Sequence, residues 1–147
     1  MNKGKSVVTN ALLYSGSDAT LIRKDIADKL ELNGEKRTLK VGNAFLESTN
    51  FQSQLVSFDI SSSSHPQPIN LDNVWVVSKL DIECTTLDSR DIKQEYSYLN
   101  DIDLHIPDTD EVALLICTDF RNLHVNFNVR CWGKTELFAV KTKLCWV

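Results

Sequence analysis

The chain has 147 residues, of which 42% are hydrophobic and 24% are charged, and its formal net charge is −4. This length and composition are typical of one globular domain with its own core. The negative charge excludes a general attraction to nucleic acid or anionic membranes, and no apolar run approaches the roughly 20 residues of a transmembrane helix.

The N-terminal residues and the cysteines indicate the cellular compartment of the protein and whether it holds a metal site. Residues 1–10 lack the apolar core of a signal peptide, so we expect an intracellular, cytoplasmic protein. No two cysteines form the Cys-x-x-Cys pair that is typical of zinc sites, and disulfides are rare inside cells. We therefore expect free thiols and no metal site, the cysteines being Cys84, Cys117, Cys131 and Cys145.

The first half of the chain predicts short strands and one helix. A strand through Leu13 runs into a small polar loop, and apolar residues at helical spacing predict a helix over residues 23–32. The Asn33-Gly34 pair is a natural end for that helix. Strands follow at 38–41 and 46–60, and the second alternates apolar and polar residues, which predicts one solvent-exposed face.

The second half predicts further strands and a second helix. Residues 69–77 form a β-rich run, and residues 88–99 have a helical pattern with Asp88 as a candidate N-cap. A continuous apolar run within 112–120 predicts a strand buried on both faces. Two alternating runs close the chain, at 123–130 and 137–141. Many short strands and two helices predict a mainly β domain.

The most informative stretch is 11–20, which reads Ala-Leu-Leu-Tyr-Ser-Gly-Ser-Asp-Ala-Thr. Three apolar residues run into a small polar turn, and an apolar pair follows, so the stretch predicts a buried strand, a tight loop and the start of a second strand. Gly16 has no side chain, so another segment of the polypeptide can approach its backbone closely. Ser15, Ser17 and Thr20 carry short hydroxyls that can bond local backbone groups.

This stretch resembles the active-site loop of retropepsin-like aspartic peptidases, and more narrowly that of the peptidase in BEL/Pao-type retrotransposon polyproteins. That family reads apolar-Leu-Leu-Asp-Ser-Gly-Ser-x-x-Thr. Residues 114–119 are similar to a second family signature, apolar-Asp-apolar-Leu-Ile-Gly-x-Asp. Residues 139–146 are similar to a third segment, Ala-Val-x-Thr-Lys-Leu-Gly-Trp. Three motifs in order make the resemblance specific, and it spans almost the whole chain.

The resemblance implies a single retropepsin-like lobe, mainly β and closed like a barrel, with one or two short helices. The peptidase domain would cover residues 5–124, and residues 125–147 would be a C-terminal segment of strands leading toward the next part of a polyprotein. The family role is processing of a Gag–Pol polyprotein by a two-fold homodimer. It implies an extended peptide substrate, no metal or organic cofactor, no nucleic-acid partner and no membrane. A location inside a retroelement particle is compatible with it.

The resemblance also assigns roles to individual residues. Position 14 would supply the catalytic carboxylate, Ser15 would brace the loop across the dimer, and Gly16 would permit close packing. Asp18, with Ala19 beside it, would contact the substrate backbone. Residues 45–58 would include a flap over the cleft. We expect position 14 to lie at the tip of a loop between two strands, with Leu114 to Ile116 packed beside it.

The chain departs from the family at its catalytic position, which is Tyr14. A phenol has an unperturbed pKa near 10, about six units above a carboxylate, so it cannot act as the general base near neutral pH. Cys117 and Cys145 stand where the family has glycine, and Ala113 stands where its second signature has the first aspartate. The pattern is that of decay under relaxed selection, and we expect an inactive homodimer.

Several alternatives follow from the same residues. An inactive cleft can still hold an extended peptide, so the chain could serve as a non-catalytic peptide-binding or dimerisation module. An intact partner copy could supply one aspartate in a mixed dimer. Asp18 lies on the same loop but off the expected two-fold axis, which disfavours it as a replacement carboxylate. Asp119 is expected to cap a short helix, and Cys117 to be buried behind the loop.

Overall fold

The computed structural model describes residues 1–42, 48–82, 89–104, 111–133 and 137–147. Its strands are β1 (Asn10–Leu13), β2 (Leu21–Arg23), β3 (Glu35–Gly42), β4 (Ser48–Ile60), β5 (Ile69–Val77), β6 (Val112–Ile116), β7 (Asn128–Arg130) and β8 (Ala139–Lys141). Its α-helices are α1 (Lys24–Lys29) and α2 (Ser89–Glu95), and 3₁₀ helices span Ser97–Leu99 and Thr118–Leu123. The mainly β class predicted from the sequence is confirmed.

Six strands form one sheet in the order β1-β6-β2-β5-β4-β3, and β7 and β8 form a separate pair. All five residues of β6 are buried, as its uninterrupted apolar run predicted. β1 lies parallel to β6, whereas β2 lies antiparallel to it. β6 is therefore flanked by the two strands that the stretch 11–23 contributes.

The expected closed, barrel-like sheet is not present among the described residues, because β1 and β3 are separate edges of an open sheet. The sequence of β3, Glu-Lys-Arg-Thr-Leu-Lys-Val-Gly, leaves every residue but Leu39 exposed. Charged side chains on an edge strand disfavour pairing with a further strand. Among the described strands, β3 pairs with β4 alone, in an antiparallel hairpin that runs from the pair Glu35–Leu55 to the pair Gly42–Ser48.

Two apolar clusters form the interior. The larger lies between α1 and the sheet, and its most buried members include Ile22, Val56, Leu71, Val74, Ile116 and Leu123. The smaller joins the residues after α2 to β8, through Leu99, Ile102 and Ala139. Leu144 belongs to the larger cluster, so the C-terminal segment contacts both. The boundary predicted at residue 124 stays a prediction.

The end of α1 differs from its prediction. The helix ends at Lys29 rather than near residue 32, because Glu31 adopts a left-handed conformation with φ of 51°. The Leu32 N–H donates to the Ala27 carbonyl at 2.9 Å, and the Glu31 N–H donates to the Asp28 carbonyl at 3.0 Å. This is a Schellman motif with glutamate in the position that glycine usually occupies.

Gly34 therefore has a different role from the helix end predicted for it. A Cβ atom at Gly34 would lie 1.6 Å from the Leu55 carbonyl oxygen, so β4 leaves no space for a side chain there. The glycine permits the close approach at which the β3–β4 hairpin begins.

The remaining elements follow the predicted order with shifted ends. β5 covers the predicted residues 69–77. The second helix is divided into α2 and the 3₁₀ helix Ser97–Leu99, and its candidate cap, residue 88, lies outside the described residues. The run 123–130 is a strand only over β7. No helix within the described ranges combines the length and the apolar character needed to cross a membrane.

Candidate active site

The loop that carries position 14 crosses the C-terminal end of β6. Leu13 at the end of β1 is paired with Ile116, and Leu21 at the start of β2 is paired with Leu115. The Tyr14 N–H donates to the Ile116 carbonyl at 2.8 Å. Tyr14 therefore begins a loop between two strands, with the end of β6 beside it, and both of these features were expected from the sequence. The expected position at the tip of the loop is wrong, because β1 extends to Leu13 and Tyr14 directly follows it. We call residues 14–20 the active-site loop.

The far end of the active-site loop is fixed by Thr20, which is fully buried. Its hydroxyl donates to Asp119 Oδ1 at 2.6 Å, and its N–H donates to Asp119 Oδ2 at 2.9 Å. The same hydroxyl oxygen accepts a bond from the Cys117 N–H at 2.9 Å. These three bonds join the loop to the first residues after β6.

The role expected for Asp119 as a helix cap is wrong. Asp119 lies inside the first turn of the 3₁₀ helix Thr118–Leu123, whose N-cap position is Cys117. Its carboxylate reaches back to Thr20, 99 residues earlier in the chain, and also accepts a bond from the Phe120 N–H at 3.1 Å. The pairing of β2 with β6 brings Thr20 and Asp119 together. Because the two residues are far apart in the chain, no short sequence motif could predict their contact.

The middle of the loop is held through Ser17. Its carbonyl oxygen accepts bonds from the Thr118 N–H at 3.1 Å and from the Thr118 hydroxyl at 2.8 Å. Its own hydroxyl oxygen accepts a bond from the Ala19 N–H at 3.3 Å. Ala19 is thereby part of the loop's internal turn and is half-buried. None of these bonds uses the side chain of Tyr14.

The other candidate site residues lie on the outer side of the loop. Tyr14 is 46% exposed, and Ser15, Gly16 and Asp18 are also exposed. The Tyr14 ring covers Gly16, since a Cβ atom there would lie 2.5 Å from Tyr14 Cζ. The glycine allows the ring to rest against the backbone. A phenol, one exposed serine hydroxyl and one exposed carboxylate are thus presented on one short loop.

Cys117 is buried behind this loop, as expected. Its φ of −107° is open to any L-residue, so the backbone there does not require the glycine of the family signature. Burial raises the pKa of the Cys117 thiol; a hydrogen bond with Ser17 opposes this, and the Asp119 and Asp18 carboxylates add to it. The thiol is therefore protonated near neutral pH and is a poor nucleophile.

His124, at the end of the 3₁₀ helix, has a contact behind the site. His124 Nε2 lies 3.0 Å from the Cys117 carbonyl oxygen, which can accept a bond from a protonated Nε2. This contact joins the end of the 3₁₀ helix to its start. His124 and Cys117 are seven residues apart, a spacing that belongs to no metal-binding or catalytic motif. The sequence therefore offered no reason to predict this contact.

The predicted flap, residues 45–58, falls on the β3–β4 hairpin, and its tip at 43–47 lies outside the described residues. Within the described ranges, no three His, Cys, Asp or Glu side chains come together in a way that could hold a metal ion. Comparison of the chain with models of protein families, with curated proteins and with solved structures finds no match.

Proposed function

We propose that this chain is a retropepsin-like aspartic peptidase lobe, of the kind found in BEL/Pao-type retrotransposon polyproteins, that Tyr14 has made inactive. One observation carries the proposal: position 14 begins a loop between two strands that flank a buried strand, and that loop is held by Thr20 and Asp119. The family role would be cleavage of an extended Gag–Pol peptide by a homodimer. We place it in the cytoplasm or in a retroelement particle.

The chemistry explains why the substitution abolishes activity. An aspartic peptidase uses two carboxylates around one water, and they share a proton because like charges so close cannot both ionise easily. One carboxylate acts as general base on the water, and the other acts as general acid. A single lobe contributes one carboxylate, so two copies of this chain would bring two phenols to the two-fold axis. Loss of general acid–base catalysis lowers the rate by about 10²- to 10⁴-fold.

The contacts of the loop favour recovery of activity by one substitution. Its hydrogen bonds run through Ser17, Thr20 and the backbone of Tyr14, and none requires the phenol. A carboxylate at position 14 would therefore join a loop that is already formed. Aspartate is also smaller than tyrosine, which relieves crowding of two rings at the dimer axis.

The test is cleavage of a peptide library, read by mass spectrometry, by the unchanged protein and by Tyr14→Asp. We expect no cleavage by the unchanged protein and specific cleavage by Tyr14→Asp. Tyr14→Asn is the matched control, because it has the same size without the carboxylate, and it should be inactive. Cleavage by the unchanged protein would contradict the proposed inactivation. An inactive, folded dimer of Tyr14→Asp, also inactive when combined with Cys117→Gly, would contradict the family assignment.

A non-catalytic peptide-binding module is the second candidate, and the β3–β4 hairpin favours it. Leu39 is paired with Phe51, so Phe51 and Val41 share one face of the hairpin, and they are 51% and 46% exposed. An extended peptide could lie against this exposed apolar face. Saturable binding of library peptides by the unchanged protein, weakened by Phe51→Ser and without cleavage, would support this function.

A mixed dimer is the remaining alternative. An intact copy would supply one carboxylate, and this chain would supply the other half of the cleft. Adding the unchanged protein to a limiting amount of Tyr14→Asp distinguishes the two cases. If cleavage falls as mixed dimers replace Tyr14→Asp homodimers, both carboxylates are required for catalysis. If cleavage is retained, the mixed dimer is an active enzyme.

A further inference from the structure

A second concave site lies beside the end of α2. It is a cleft of about 620 Å³ lined by Glu95, Tyr96, Ser97, Tyr98 and Trp132, which we call the aromatic cleft. Of the described residues that line it, three are aromatic and one carries a carboxylate. None of them belongs to the active-site loop or to the hairpin discussed above, so the proposed peptidase fold does not account for this grouping.

The rings in the aromatic cleft form walls in two directions. The Tyr96 and Tyr98 ring planes meet at 76° with centroids 6.0 Å apart, whereas the Tyr98 and Trp132 planes are within 24° of parallel with centroids 6.4 Å apart. The Tyr96 ring plane is therefore steeply inclined to that of Tyr98, whereas the Trp132 ring plane is nearly parallel to it. A rounded group entering the cleft meets ring surface on more than one side.

The walls are held in place by the smaller apolar cluster. Tyr96 and Tyr98 pack against Leu99, Ile102 and Ala139, and the Tyr98 hydroxyl donates to the Leu137 carbonyl. Trp132 is 79% exposed, although its ring is stacked on Tyr98. An exposed tryptophan that is oriented by a fixed neighbour leaves most of its surface open to a ligand.

The chemistry of the lining selects a cation. The faces of aromatic rings attract positive charge, tryptophan most strongly, and the Glu95 carboxylate adds a negative charge at the same place. A bare ammonium carries three N–H donors, which the ring faces do not accept, so in the cleft it would depend on Glu95 and Ser97. A methylated ammonium has fewer donors to satisfy. Its rounded shape also suits walls in two directions, whereas a planar guanidinium stacks on a single face.

We propose that the aromatic cleft binds a methylated ammonium group. The volume of the cleft exceeds that of such a head group and leaves space for the chain that bears it. The group could be carried by a methylated lysine side chain of a protein or by a small choline-type molecule, and both present the same cation to the rings. This site is independent of the proposed peptidase function.

The first test is NMR titration of the full chain with tetramethylammonium chloride, against sodium chloride at the same ionic strength. The indole N–H signal of Trp132 should shift saturably, while those of Trp75 and Trp146 stay unchanged. Choline and its neutral isostere 3,3-dimethylbutan-1-ol are then compared. The alcohol has the same shape without the charge, so we expect it to bind at least about fivefold more weakly if the rings act on the cation.

Variants test the residues, with affinity measured from the methyl signals of the ligand. We expect Trp132→Ala to weaken tetramethylammonium binding by about tenfold or more and Glu95→Gln by about two- to fivefold. Phe138→Ala is the matched control, because Phe138 is a 64% exposed aromatic residue outside the cleft, and its affinity should equal that of the unchanged protein. The amide spectrum of each variant verifies that it is folded.

The source of the cation is identified by comparing a peptide that contains trimethyl-lysine with choline. Tighter binding of the peptide supports a protein ligand, and tighter binding of choline supports a small molecule. Equal binding of choline and its neutral isostere would overturn the proposal. An unchanged affinity for tetramethylammonium in folded Trp132→Ala would overturn it as well.

Discussion

Thr20 is the residue through which the active-site loop is joined to the strand that it crosses. Its hydroxyl both donates to Asp119 and accepts from the Cys117 N–H, and it has no exposed surface. A buried hydroxyl that donates and accepts at once cannot be replaced by an apolar group of the same shape without leaving polar partners unsatisfied. The side chain of Tyr14, in contrast, is almost half exposed and can change without disturbing these bonds.

This contrast predicts the effect of Thr20→Val on stability. Valine keeps the shape but loses a bond to a charged group and leaves the Cys117 N–H unsatisfied, so we expect the free energy of unfolding to fall by about 2–4 kcal/mol. Thr20→Ser keeps the hydroxyl and loses one buried methyl, which corresponds to a loss of about 1 kcal/mol. Urea unfolding of both variants measures the difference. Equal losses would show that the hydroxyl bonds do not hold the loop.

At the scale of elements, the helix end shows how backbone conformation and sequence can disagree. α1 stops in a Schellman motif with Glu31 at a φ of 51°, a conformation that crowds any L side chain. The glycine that the sequence offered as a stop, Gly34, is required instead by the backbone of β4. Because glycine serves both purposes in proteins, its position alone could not distinguish them.

We therefore predict that Glu31→Gly is more stable than Glu31→Ala. Both variants lose the carboxylate and its ion pair with Lys5, but only glycine relieves the left-handed strain. The expected difference in the free energy of unfolding is about 1 kcal/mol in favour of glycine. Thermal or urea unfolding of the two variants measures it. A more stable alanine variant would contradict the helix end described here.

Arg23 links the end of β2 to α1 and to the residue before β6, and its ion pairs make the stability of the fold depend on pH. It forms two bonds with Asp25 in α1, at 2.6 and 2.9 Å, and one with Glu111 just before β6, at 2.9 Å. The hydrogen bond from Arg23 is the main cause that lowers the pKa of Asp25 below its ordinary value. A carboxyl group with a lowered pKa in the folded state stabilises the fold at neutral pH, and this contribution is lost as the pH falls through the folded-state pKa.

Asp25→Asn measures this contribution. The Asp25 side chain is 43% exposed, so solvent screens the pair and we expect a loss of at most about 1 kcal/mol at pH 7. As the pH falls through the lowered folded-state pKa of Asp25, the unchanged protein loses this contribution and the stabilities of the two proteins should converge. Urea unfolding from pH 2 to 7 tests this. A difference that stays constant over that range would exclude the ion pair as its cause.

For the molecule as a whole, sequence periodicity could predict the mainly β class of the fold and the order of the strands along the chain. The apolar run of β6 and the alternation of β4 are local signals, and both strands formed where predicted. The open sheet was not predicted, because the resemblance suggested closure while the charged edge strand β3 prevents it. The Thr20–Asp119 pair and the aromatic cleft depend on residues far apart in the chain, which no local pattern connects.

We propose that the active-site loop, residues 14–20 held across the end of β6, is the scaffold of an aspartic peptidase without its carboxylate. Two such carboxylates in a dimer share a proton and titrate as a coupled pair, so activity requires one ionised and one protonated group. The pH–rate profile of peptide cleavage by Tyr14→Asp tests this most directly. We expect a bell-shaped profile with its maximum at acidic pH and loss of cleavage as the pH rises above neutrality. The absence of cleavage at every pH by a folded, dimeric Tyr14→Asp variant, or a rate that does not depend on pH, would contradict it.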